Sequence, residues 1–139
     1  MTTETLLTPE GLEFVTEYHL ATLSTLTPSG APHVVPVGFT FDAEGDEGRG
    51  VVRIITNGPS QKVLNVRRDG RAAVSQVEGA RWLTLSGTAR ILDDPASVQE
   101  GVDRYAARYR QPRENPQRVV ILLADLTAMG SAAFLTRAR

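Results

Sequence analysis

The chain has 139 residues, no cysteine and a formal net charge of −1, from 15 basic and 16 acidic side chains. That length suffices for one self-supporting core, and the charge gives no basic field with which to hold nucleic acid. The missing thiols remove disulfides, thiolate nucleophiles and thiolate metal sites, so redox work needs a bound cofactor.

No apolar run reaches the length of a membrane span, and the start M-T-T-E-T-L-L-T-P-E lacks the basic and apolar regions of a signal peptide, so a cytoplasmic protein is expected. Thr8 followed by Pro9 reads as an N-cap and first helical residue, opening a short helix over 9–18 with Leu12, Val15 and His19 along one side. Residues 19–27 read as a strand, Pro28-Ser29-Gly30 as a turn, and 33–42 as the hairpin partner. In that partner strand His33, Val35, Val37, Phe39 and Phe41 form an apolar face, while Pro36 and Gly38 interrupt the other. Proline and glycine are tolerated in a strand at edges, at bulges, or where a ligand or backbone comes close, so these two mark either a contact surface or a barrel corner.

The following loop, D-A-E-G-D-E-G-R-G, has acidic spacing reminiscent of a calcium loop, but its sixth position is Glu47 and its twelfth is Arg53, where glycine and a bidentate glutamate are required. Its glycines do not lead from a strand into a helix, which also excludes a dinucleotide fingerprint. Residues 50–56 read as the next strand, and Pro59-Ser60 as the opening of a helix with Val63, Leu64 and Val66 inward and Gly70 at its end. Here sits Lys62, the only lysine in a chain whose other basic residues are all arginine. A helix start with free amide groups, a lysine, and Thr56, Asn57 and Ser60 nearby make a candidate phosphate site. The alternative is that Ser60 only caps the helix and Lys62 is solvated.

Residues 71–78 and 81–92 form the next expected hairpin around Gly79-Ala80. In its second strand Leu83, Leu85, Ala89 and Ile91 share one face, whereas Trp82 lies with Thr84, Ser86 and Thr88 on the polar face, suited to a subunit interface, a flat ligand or an exposed strand end. Residues 94–110 read as an amphipathic helix with a seam of Val98, Val102, Tyr105 and Tyr109. Arg104, Arg108, Arg110, Arg113 and Arg118 cluster around its end, either to receive carboxylates or as a solvated face. The run from 118 to 128 is nearly continuous in apolar residues and reads as a strand covered on both faces. Six or more strands joined as hairpins, with two or three helices, give a mainly β chain: a small antiparallel barrel with peripheral helices, in one domain over 1–139.

Three segments, H-L-A-T-L-S-T-L-T-P-S-G-A-P-H-V-V-P-V-G-F, I-I-T-N-G-P-S-Q-K-V-L-N-V and S-Q-V-E-G-A-R-W-L-T-L-S-G, resemble the split β-barrel flavin and deazaflavin proteins of the pyridoxamine phosphate oxidase-like superfamily. Within it, Q-V-E-G-A-R-W and R-Y-A-A-R-Y-R-Q-P-R-E-N-P-Q-R-V-V are most similar to the coenzyme F420-dependent biliverdin reductases. The resemblance implies a split antiparallel β-barrel homodimer with two cofactor sites at the interface. It implies that Thr56, Ser60, Lys62 and Asn65, with Ile55, Asn57 and Gln61 beside them, hold the phosphate and nearby polar groups. Pro36, Val37, Gly38 and Phe39 would line the deazaflavin, and Gln76, Val77, Gly79, Ala80, Arg81 and Trp82 would close over it from the partner chain.

F420 carries an internal phosphodiester with one charge, which one lysine and helix amides match, whereas the monoester of FMN carries nearly two. The implied reaction is hydride transfer from reduced deazaflavin to an unsaturated acceptor, biliverdin in the similar group, with Arg81, Arg104 and Arg110 as candidate partners of the propionates. No catalytic residue or proton donor is named, and with only two histidines, His19 and His33, a metal centre is not expected. The rival readings are an FMN-dependent oxidase or reductase on the same barrel and a non-catalytic F420 carrier.

Overall fold

The structure, a computed structural model, describes residues 6–136. Seven antiparallel strands form one sheet: β1 (Ala21–Leu26), β2 (Pro32–Val37), β3 (Thr40–Asp42), β4 (Val51–Asn57), β5 (Arg71–Glu78), β6 (Arg81–Leu92) and β7 (Arg118–Gly130). Three helices accompany them, α1 (Pro9–Phe14), α2 (Gln61–Arg68) and α3 (Pro95–Arg108). The lateral order is β2-β1-β5-β6-β7-β4-β3. The two edge strands, β2 and β3, are therefore consecutive halves of one stretch of chain, separated only by Gly38 and Phe39. The sheet curls round until its edges meet at that break, which is the mainly β, split-barrel architecture expected.

The core is the inward face of this sheet: Leu23, Val52, Ile54, Val74, Leu83, Leu85, Ile121 and Leu123 are buried, with Phe14, Phe39 and Phe134 closing the ends. β7 is buried continuously from Val119 to Leu123, as its unbroken apolar run requires, because α3 covers its outer side. Thr8 caps α1, its Oγ1 accepting from the Gly11 amide at 3.1 Å. A bulge between Ser86 and Thr88 bends β6 against β7, and a Cβ on Gly87 would stand 2.3 Å from the Ala124 carbonyl oxygen, so only glycine fits there.

Several expectations change. α1 ends at Phe14, not Tyr18, and β1 starts at Ala21, not His19. The strand expected over 33–42 is interrupted at 38–39, and β7 continues to Gly130. Leu64, expected inward, is 51% exposed; α2 instead turns Val63, Asn65 and Val66 to the barrel.

Candidate functional site

A groove of about 270 Å³ opens at the break between β2 and β3. Seven residues singled out from the sequence line it together: Pro36 and Val37 from the end of β2, Gly38 from the break itself, Ile55, Thr56 and Asn57 from the end of β4, and Lys62 from the first turn of α2. The register explains the meeting, since β4 ends beside the first residue of β7, Asn57 opposite Arg118, and α2 follows at once through a turn in which the Ser60 amide donates to the Asn57 carbonyl at 3.1 Å.

Four more residues line the groove that sequence reading did not assign to it: Tyr105 from α3, Pro112 and Asn115 from the segment after α3, and Arg118. That segment is strapped to the turn after β4, with the Asn115 side-chain amide donating to Asn57 Oδ1 at 3.2 Å and the Gly58 amide to the Gln117 carbonyl at 2.8 Å. A second depression, about 540 Å³, continues past Pro112, Asn115 and Arg118 along α3. Arg118 was visible as part of a basic cluster, but only the β4–β7 register brings it beside Lys62.

The electrostatics favour an anion. Lys62 is half-buried, makes no ion pair among the described residues, and burial alone holds its pKa below the usual lysine value. Arg118 donates to the Arg113 carbonyl at 2.6 Å and likewise has no carboxylate partner among the described residues. Ser60 occupies the N-cap of α2 without making a capping bond, and its Oγ is buried with no hydrogen-bond partner. A buried hydroxyl without a partner is costly unless something supplies one. Ser60 does not line the groove, but a desolvated lysine and an arginine without a carboxylate partner, both in its wall, fit a phosphate group. Two cations, not one, are then available, so the count of a single lysine does not distinguish a phosphodiester from a monoester.

The remaining residues named from sequence lie elsewhere. Asn65 is fully buried, accepting from Gln61 Nε2 at 2.8 Å and donating to Thr25 Oγ1 at 3.1 Å, so it ties α2 to β1 beneath the groove. Phe39 is buried next to Gly38. Gln76 is also buried, donating to the Phe14 carbonyl at 2.7 Å and accepting from Arg108 at 2.7 Å, and it does not line this groove. Val77, Gly79, Ala80, Arg81 and Trp82 form the exposed β5–β6 hairpin, where Arg81 pairs with Glu78 and Val77 lies opposite Trp82. Arg104 is engaged by Asp42 at 3.2 Å and Glu100 at 2.5 Å, outside the groove, and Arg110 is exposed. Glu17, His19 and Glu78 also converge, His19 Nε2 standing 3.5 Å from Glu17 and 3.9 Å from Glu78, but Arg81 already neutralises Glu78.

Comparison with known proteins gives a consistent picture. The model of the pyridoxamine 5'-phosphate oxidase family matches residues 7–125. An F420H(2)-dependent biliverdin reductase of Mycobacterium tuberculosis (strain CDC 1551 / Oshkosh) is 48% identical over 136 residues, which cover 98% of this chain and 96% of that protein. Among solved structures, an F420 reductase superposes with a TM-score of 0.67 at 26% identity, covering 88% of this chain and 98% of the other. A conserved hypothetical protein of Mycobacterium tuberculosis superposes with a TM-score of 0.71 at 22% identity, covering 94% and 86% of the two chains, a likeness of fold alone.

Proposed function

Because the chain belongs to the pyridoxamine 5'-phosphate oxidase family, we propose that it is an F420-dependent oxidoreductase that reduces an unsaturated acceptor, biliverdin, at the groove beside Lys62. The observation that carries the reading is the likeness to an F420H(2)-dependent biliverdin reductase across nearly the whole chain. The groove supports it independently, having the phosphate-binding chemistry such a cofactor needs.

When bound, the deazaflavin supplies the hydride. The protein's own residues bind and orient. Lys62 and Arg118 would counter the phosphate charge, whereas Ser60, its hydroxyl buried at the N-cap of α2, does not line the groove. Gly38 lets the Tyr105 and Tyr109 rings pack directly on the groove wall, since a Cβ there would stand 3.0 Å from the Tyr109 ring and 3.1 Å from the Tyr105 ring. Asn65 acts from beneath, fixing the height of α2 through Gln61 and Thr25.

The groove and the depression that continues it lie open along the surface, so neither encloses a bound cofactor. A second subunit would complete the site. Val77, Trp82 and Met129 support a homodimer: their register places them on one outer face of β5, β6 and β7, with Val77 64%, Trp82 38% and Met129 57% exposed. Among the described residues no helix is long and apolar enough to cross a membrane.

The test is a fluorescence titration of the purified protein with F420 and, separately, FMN, followed by anaerobic mixing of the reduced complex with biliverdin. Tight F420 binding and prompt reoxidation by biliverdin support the reductase. Preference for FMN replaces the cofactor, a reading the second cation Arg118 makes chemically reasonable. F420 binding with no reoxidation by any unsaturated acceptor leaves a carrier.

A further inference from the structure

The antiparallel register between β1 and β2 runs from Leu26 opposite Pro32 to Ala21 opposite Val37. Continued by two residues, it would set Phe39 opposite His19 and join them by direct ladder bonds. That bond is not made. The Tyr109 hydroxyl stands between them instead, accepting from the Phe39 amide at 3.3 Å and donating to the His19 carbonyl at 2.7 Å. The neighbouring Arg108 spans the same gap. Its guanidinium donates to the Phe39 carbonyl at 2.6 Å, the Glu17 carbonyl at 2.8 Å and Gln76 Oε1 at 2.7 Å. It lies 4.8 Å from the Phe39 ring centroid and 5.0 Å from that of Tyr109.

These contacts satisfy both backbone groups of Phe39 at the one place where the barrel strand has no ladder. They come from a helix end about seventy positions away, and they hold the strand apart where it would otherwise zip. Arg108 makes no ion pair among the described residues, and burial pushes its pKa down and that of Tyr109 up. Its hydrogen bonds all go to neutral acceptors, with the Glu17 charge acting on it from nearby, and their three-way geometry is one that neither lysine nor an apolar side chain reproduces.

We propose that Arg108 and Tyr109 are positioning residues, a wedge that keeps the β2–β3 break open and so places Gly38 at the wall of the groove. The proposal rests on reading that groove as the cofactor site. Without the wedge, Phe39 closes on His19 or loses its partner, and Gly38, one residue away and packed against the Tyr109 ring, moves with it.

Tyr109→Phe removes one oxygen and keeps the ring. It is expected to raise the F420 dissociation constant at least fivefold and to shift the Gly38 amide resonance in the ligand-free protein. Arg108→Met is expected to act in the same direction and more strongly, with Arg108→Lys recovering little. Leu126→Ala, a buried change in β7 remote from the groove, serves as the control for lost stability: at a comparable fall in melting temperature it should leave cofactor affinity and the Gly38 resonance unaltered. Wild-type affinity and an unmoved Gly38 resonance in Tyr109→Phe would overturn the wedge, as would an equal loss of affinity in the control. Failure of the cofactor reading looks different: the wild-type protein binds neither F420 nor FMN, and the Gly38 resonance of the free variant still decides whether the wedge exists.

Discussion

Replacing Lys62 by alanine separates a binding residue from a structural one, because its two effects should have opposite signs. A lysine ammonium about 4 Å from a phosphate oxygen at a half-buried site has roughly 4 kcal/mol of gross attraction at an effective dielectric of ~20. Part of that is offset by desolvation, and a hydrogen bond to a charged group nets about 1.5–3 kcal/mol. The F420 dissociation constant should therefore rise roughly ten- to a hundredfold, with binding not abolished because Arg118 remains in the groove. The free protein should respond differently. Burial holds the Lys62 pKa below its ordinary value, so the folded state binds this proton less readily than the unfolded chain does. The charge is thus a cost to folding below the folded pKa, relieved as pH rises towards the usual lysine value near 10.5. Lys62→Ala should leave the melting temperature of the free protein unchanged or raise it. The assay is a fluorescence titration at two salt concentrations alongside thermal melts. Affinity within twofold of wild type, with the same salt dependence, would remove Lys62 from the site. A large loss of stability without ligand would show it to be structural.

Arg118→Gln should weaken F420 binding about fivefold or more, and the double variant with Lys62→Ala should lose less than the product of the two, since both cations act on one anion; titration of the four proteins closes the cycle. Asn65→Ala leaves Thr25 Oγ1 and Gln61 without their partner, which should cost about 1–3 kcal/mol, seen as a lower denaturant midpoint with m unchanged. Asp42 is pushed up by burial but more strongly held down by the Arg53 hydrogen bond, the Glu44 amide and the Arg104 and Arg53 charges together, so its pKa ends below 3.8. Its contribution is present above the ordinary carboxylate pKa and is lost as pH falls through the lowered one. Asp42→Asn should accordingly destabilise at neutral pH and flatten the acid limb of a pH–melting curve below about pH 4. Arg104→Gln, which breaks the same cluster, should lower stability and leave the KM for biliverdin unchanged.

What could be read from the sequence was whatever a single element writes in its own periodicity. The alternation in β6 and the unbroken apolar run of β7 fixed their faces, and the turn residues fixed the hairpins. Gly38 and Pro36 read as either a contact surface or a barrel corner, and the structure places both beside the groove at the break in the strand. The break after Val37 was not legible, because the alternation of Val35, Val37, Phe39 and Phe41 runs through it without a fault. Its only local trace is Gly38, read as a contact surface or a barrel corner, while the contacts that Tyr109 and Arg108 make to Phe39 come from a helix far along the chain. Arg118 and Tyr105 escaped assignment for the same kind of reason: each enters the groove through a pairing or packing distant in sequence. Asn65 shows the converse. The family resemblance implied a ligand contact for it, whereas tertiary packing turns it inward, where it donates to Thr25.

The delivery of α3 to the break follows from one small residue. A Cβ on Gly101 would lie 2.7 Å from Val120 Cγ2 and 3.0 Å from Ile55 Cγ2, so the helix backbone sits directly on β7 and β4. Gly101, Tyr105 and Arg108 occupy positions i, i+4 and i+7 of one helical face. Contact at the first therefore sets the reach of the other two, which arrive at Gly38 and Phe39. Ile55 is at once the floor under Gly101 and part of the groove wall. The helix, the break in the strand and the anion-binding end of β4 are thus fixed against one another by direct contact, and a displacement of α3 by a few tenths of an ångström would reach both walls of the groove together.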